Sequence, residues 1–294
     1  MKQLFSILLI LTVLCSADEK QTRLKMKVNA TLFGSERLQV ELTMKTKEGL
    51  NRFWFPRWIP GIHSVFANIE SINGLKVETT DGKNIPWKRN FKHLYQFTFT
   101  PPEGTKEVII KYNYICNKTS MLNSGTDSYL KQNMICINWN TIAFYPDGYD
   151  AKNILYDVEL KIPEKWPAAS ALRPKREGGT LTFSNVNLTT LIDSPFIAGP
   201  FMKSYKVNKA EPIVHVHIIG EKKEDAIMPD AQLKVITKMV AEAKALFKFE
   251  PFKKYDFLIL GTTSNLTIIS PTLSHCLSFL SLPPKCRLAS FLPC

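Results

Sequence analysis

The sequence predicts a mainly β protein: an antiparallel β-sandwich that runs into an incomplete α/β segment with one amphipathic helix. Three observations predict it. Short runs that alternate apolar and polar residues recur from Thr22 to about Val207. Turn residues separate them. A stretch with helical spacing comes only afterwards, between two further strand-like runs.

The elements follow in order. Leu38 to Met44, His93 to Phe99, Val108 to Tyr114 and Tyr156 to Ile162 each alternate, which places their apolar side chains on one face of a pleated strand. Asn73-Gly74, Asp81-Gly82, Pro101-Pro102, Asp147-Gly148 and Gly178-Gly179 mark turns between such runs. Residues 18–207 are therefore read as one β-sandwich without helices. Pro212 to Ile219 is one more strand. Met228 to Phe249 is an amphipathic helix, with Pro229 or Asp230 at its start and Pro251 beyond its end. Leu233, Ile236, Met239, Val240, Ala243, Leu246 and Phe247 line one face; Lys234, Lys238, Glu242 and Lys244 point toward water. Tyr255 to Leu260 is a largely apolar run of the kind buried inside a sheet. Strand, helix, strand over 208–261 reads as the opening of a second domain. From 262 to 294 acids vanish and Ser and Leu dominate, so an aberrant tail of low order, with no core of its own, is expected.

Composition narrows the partners. The chain has 294 residues, 45% hydrophobic, enough for a real core. Its net charge is +12, but the Lys and Arg residues are spread singly, with no basic stripe or nucleic-acid motif. No nucleic-acid partner is expected. The first 17 residues have the three parts of a signal peptide: Lys2, the apolar run Leu4 to Leu14, and the small-residue site Cys15-Ser16-Ala17. A secreted or periplasmic location follows. Lipid attachment at Cys15 is the alternative, and Leu14 is the wrong neighbour for it. No later segment is long and apolar enough to anchor the chain as a transmembrane segment. Nothing fixes the oligomeric state. Cys116 and Cys136, on two strand-like segments, can pair in an oxidising compartment or remain two buried thiols. Four Asn-x-Thr triplets, at Asn29, Asn117, Asn187 and Asn265, fit the glycosylation pattern.

Pro56-Arg-Trp58-Ile-Pro60-Gly61 is the most unusual short segment, because two prolines and a glycine fix the backbone around a large aromatic. Read alone it is a rigid corner, with Trp58 plugging one end of the sandwich. The segment resembles the Pro-x-Trp-x-Pro-Gly-x-Tyr element of metallopeptidase family sixty-one, the glycyl aminopeptidases, with His63 where the family has Tyr. Further likenesses follow in family order: Phe144 to Gly148, Leu160 to Leu172, the segment Asp193-Ser194-Pro195 to Gly199, and the helix with Pro251 to Phe257.

The resemblance implies a β-rich N-terminal domain, then a thermolysin-like zinc domain, of which the α/β segment is the incomplete start, where H-E-x-x-H holds the metal and activates water. It implies a peptide or protein substrate, and zinc, in the full-length relative. No cofactor is expected in this chain: its histidines are His63, His93, His215, His217 and His275, and no two are four apart. The match stops at Leu260, so the chain is expected to be truncated before the zinc site and inactive, with no catalytic residue. Two other readings stand beside this one. A freestanding secreted β-sandwich can grip a peptide or protein without cutting it. A metal-dependent hydrolase can use His215 and His217, which lie two apart on a strand and so face one side; no third ligand is identifiable from the sequence.

Overall fold

A computed structural model describes residues 20–58, 65, 68–116, 127–208, 211–248, 253–261 and 266–269. The alternating runs become the middle of an eight-stranded sheet. In spatial order its strands are Lys175–Glu177, Thr180–Asn187, Ile154–Lys161, Thr22–Asn29, Arg37–Lys45, Glu107–Ile115, Ile72–Thr79 and Asn84–Ile85. Register keeps the apolar residues together: Val40 and Leu42 stand opposite Tyr112 and Ile110, and Val28 and Met26 stand on their other side. One pair departs from the antiparallel expectation. Thr22–Asn29 runs parallel to Ile154–Lys161. More than a hundred residues separate the two strands, ample chain for the crossover a parallel pair needs.

Two four-stranded sheets cover the apolar face. One contains Tyr145–Pro146, Asn51–Trp54, Gln96–Phe99 and Trp87–Arg89; the other contains Ala168–Ser170, Phe196–Ala198, Met134–Ile137 and Tyr129–Lys131. Phe144 sits between the layers. Its ring meets Phe53, Phe97 and Tyr112 nearly edge-on, with centroids 5.3, 5.4 and 5.0 Å away. Such contacts set the positive ring edge on a negative face. Two buried phenols in this core are paired, as the cost of stripping them of water demands: Tyr156 donates to the Phe144 carbonyl at 2.8 Å, and Tyr112 donates to the Ile142 carbonyl.

Two local features differ from the sequence reading. The strand expected from His93 starts only at Gln96. Asn90 causes the delay: its side-chain carbonyl accepts from the main-chain N–H of Lys92 at 2.9 Å and of His93 at 3.3 Å, folding 90–95 into a turn. A short helix, Leu188–Ile192, interrupts the β region, capped by Asn187 Oδ1, which accepts from the Thr190 N–H at 2.8 Å.

The last sheet contains Met202–Lys206, Ile213–Gly220, Lys254–Gly261 and Leu266–Ile269. Its two central strands are parallel, and helix Asp230–Phe247 crosses between them. Leu233, Ile236, Met239 and Val240 pack on Val214, Val216, Ile218, Phe257 and Ile259. Beyond Val240 the helix loses its cover: Ala243 is exposed, and so is Leu246, at 74%. The helix ends where Lys248 turns left-handed, at φ 49°. Ile219, Leu258 and Leu260 pack on the sandwich through Tyr129, Met134, Cys136, Ala169 and Ile197. Leu266–Ile269 was expected to lack order but pairs as an edge strand, Leu258 opposite Ile269. Four residues are too few to show a period; the open edge of Lys254–Gly261 supplies the hydrogen-bonding partners that define them. The rest of 262–294 lies outside the described residues, as do 1–19. No helix among the described residues is long and apolar enough to cross a membrane.

Candidate metal centre

The described residues that carry the family resemblance lie at several places in the β region. Pro56 is buried beside the aromatic core. Trp58 is 59% exposed, with the Arg57 guanidinium 5.8 Å from its ring, so it does not plug the sandwich. Fully buried Trp139 and Phe144 fill that interior instead. Pro60, Gly61 and His63 lie outside the described residues. Asp193 caps the C-terminus of the short helix, and burial holds its carboxyl above the usual range. Ser194 is buried, and its carbonyl accepts from Trp139 Nε1 at 2.8 Å. Pro195 leads into Phe196–Ala198. A Cβ at Gly199 would lie 2.7 Å from the Asn133 carbonyl oxygen, so only glycine fits unless the backbone shifts.

Cys116 and Cys136 are both buried and unbridged. Burial pushes both thiols far up, and each stays protonated. The pair offers no nucleophile.

The chemistry gathers instead on the last sheet. Ile213–Gly220 places His215 and His217 on one face, their rings stacked with centroids 5.7 Å apart. The parallel register sets Asp256 beside His215. Asp256 Oδ1 lies 3.0 Å from His217 Nε2 and 3.5 Å from His215 Nδ1, and the carboxylate side chain is only 3% exposed. Lys254 Nζ holds its other oxygen at 3.0 Å. On the opposite flank Ser204 Oγ lies 2.8 Å from His217 Nδ1, and Lys206 stands opposite His215.

Electrostatics divide the two kinds of group. Burial would raise the Asp256 pKa, but hydrogen bonds from His217 and Lys254, with their charges, outweigh it and hold the carboxyl below its usual range. Burial lowers the pKa of His215; the charges of Lys254, His217 and Lys206 add to this, against Asp256, and favour neutral imidazole. His215 Nδ1 is buried without a hydrogen-bond partner. One atom from each of His215, His217 and Asp256 lies within 4.8 Å of the others.

The sequence pointed to the two histidines and not to Asp256, Lys254 or Ser204. The spacing of two residues reveals a shared face on one strand. The pairing of that strand with two others, one across a helix, leaves no local signature.

The fold is a layered β-sandwich that passes directly into a strand–helix–strand unit. Its family is the M61 peptidases: the chain belongs to it, with residues 25–200 matching the Peptidase M61 N-terminal domain. The fold is also that of an aminopeptidase N family protein from Idiomarina loihiensis, with a TM-score of 0.66 at 20% identity over 81% of this chain. The match spans 39% of the length of that protein. An M1 zinc metallopeptidase from Deinococcus radiodurans aligns with a TM-score of 0.45 at 13% identity, over 81% of this chain and 56% of its own. No curated protein matches the chain.

The family's zinc ligands do not fit here. No two histidines of the 294 residues are four apart, so H-E-x-x-H is absent from them. The His215–His217–Asp256 cluster has a different spacing and lies on strands rather than a helix.

Proposed function

We propose that these residues form the non-catalytic N-terminal region of an exported zinc aminopeptidase, and that they do not cut peptides themselves. The observation that carries this reading is the family match over 25–200, joined to a sequence without paired histidines a helical turn apart. The chemistry of a zinc peptidase needs a metal-bound water and a carboxylate base, which H-E-x-x-H would supply, and the 294 residues contain no such motif. Residues 18–207 are the supporting sandwich and 208–261 the first elements of the catalytic domain. The peptide substrate and zinc belong to the full-length relative. Residues 1–17 act as the export signal.

Supporting the division, the described part of 208–261 has its own apolar core between helix and sheet, while its other sheet face rests on the sandwich. The test is release of p-nitroaniline from Gly-p-nitroanilide by the pure 294-residue polypeptide. No turnover is expected; chelator-sensitive turnover would refute the assignment. Export is tested separately, by the N-terminal sequence of the mature protein, expected to begin at Asp18.

A further inference from the structure

We propose that His215, His217 and Asp256 bind one borderline divalent transition-metal ion, zinc or a close analogue, which clips strand Ile213–Gly220 to strand Lys254–Gly261. This goes beyond the proposed function, because the family's zinc motif contributes none of these residues.

Donor chemistry selects the ion. Two imidazoles and one carboxylate favour zinc, cobalt, nickel or copper, whereas calcium and magnesium require oxygen donors. Spacing agrees. Bonds of about 2.1 Å in a tetrahedral shell separate neighbouring donors by about 3.4 Å. Asp256 Oδ1 already stands 3.0 Å from His217 Nε2 and 3.5 Å from His215 Nδ1. All three donors lie within 4.8 Å of one another, so only small ring rotations separate this arrangement from a closed site.

The surroundings are arranged for ligation. Ser204 Oγ holds His217 Nδ1 at 2.8 Å, which leaves Nε2 facing the carboxylate. Asp256 Oδ1 faces both rings, and an outer contact such as that of Ser204 fixes the orientation of a metal ligand. His215 Nδ1 is buried and makes no hydrogen bond, and a metal would satisfy it. The His215 side chain is 26% exposed, so an ion can enter past it to the deeper carboxylate. Three protein ligands leave a fourth position for water.

Two cations oppose binding. Lys254 lies against the carboxylate, and Lys206 stands opposite His215. Their repulsion weakens binding and makes Lys254 a diagnostic position.

The experiment is calorimetric titration of the purified 294-residue protein with zinc chloride at neutral pH. Binding of one ion at micromolar concentration is expected, weakened at least about 10-fold in His215→Ala and in His217→Ala. Circular dichroism and urea unfolding check that each variant folds. Cobalt(II) in place of zinc should give a spectrum of nitrogen and oxygen ligation, without a thiolate charge-transfer band. Failure to bind at micromolar zinc overturns the proposal. So does binding unaffected by both histidine variants, or a cobalt spectrum of thiolate ligation, which would assign the metal to cysteines. Lys254→Met supplies an independent readout should a histidine variant not fold: removing the ammonium should tighten binding about 10-fold, and unchanged or weaker binding counts against the site. Loss of this binding would leave the assignment as an N-terminal peptidase region untouched, since that rests on the family match over 25–200 and is tested by turnover.

Discussion

Trp139 Nε1 donates to the main-chain carbonyl of Ser194 across 2.8 Å, and both residues are buried. The bond ties the turn Trp139–Thr141 to the Asp193-Ser194-Pro195 segment at the base of the sandwich. Trp139→Phe keeps most of the apolar volume and removes the donor. Ser170 Oγ, 3.4 Å from the same carbonyl, compensates only weakly. The expected loss is about 1–3 kcal/mol, read from the urea midpoint, and Trp139→Ala should cost about 3–5 kcal/mol.

Gly199 is packed against the Asn133 carbonyl, where a Cβ would sit at 2.7 Å. Backbone cannot yield as a flexible side chain does. Gly199→Ala should therefore destabilise by about 1–3 kcal/mol. Gly34 is the control, because nothing lies within 4 Å of its Cβ position. A thermal melt in which both variants behave alike would contradict the packing argument.

Alkaline pH should weaken the fold. Burial raises the thiol pKa values of Cys116 and Cys136 and the phenol pKa values of Tyr112, Tyr114 and Tyr156. A raised pKa in the folded state means that the native chain holds its protons more tightly than the unfolded chain. This contribution is complete below the unfolded values, about 8.5 for a thiol and 10 for a phenol, and is lost as pH rises past them. The urea midpoint should fall above about pH 8.5 and more steeply above about pH 10. A midpoint constant from neutral to pH 11 would rule this out.

The same burial protects the thiols from reagents. Cys116 and Cys136 should remain unalkylated by iodoacetamide in the native protein and react in urea, as peptide mapping would show. A native peptide map in which the two are joined by a disulfide would contradict the unbridged arrangement.

Helix Asp230–Phe247 exposes Val235 at 60% and Leu246 at 74%. Uncovered apolar residues promote self-association. Leu246→Glu should raise the soluble yield with little change in the melting temperature. A fragment ending near residue 207 should instead be less soluble, because it uncovers Tyr129, Met134, Ala169 and Ile197. Light scattering at matched concentrations checks both.

Much of this architecture was open to reading from residue order, because the signals are local. Alternation in 38–44, 108–114 and 156–162 identified central strands, and helical spacing from Met228 onward identified the crossover helix, since each property belongs to a single element. Asn90 and Asn187 acted locally too, but a side chain that accepts from the backbone two or three residues on is compatible with either a turn or a helix cap. The exposure of Trp58 was hidden for another reason: the rigidity of its prolines fixes the backbone, not which way the ring faces.

By itself, the sequence determined the β-rich class, the late helix, the family likeness and the shared face of His215 and His217. Tertiary structure alone decided that Thr22–Asn29 runs parallel to Ile154–Lys161, that Phe144 is the hub of the core, and that Asp256 meets the two imidazoles. Periodicity is a property of one strand, whereas register is set by the packing of several. A carboxylate brought across a helix to a pair of histidines is a fact of register.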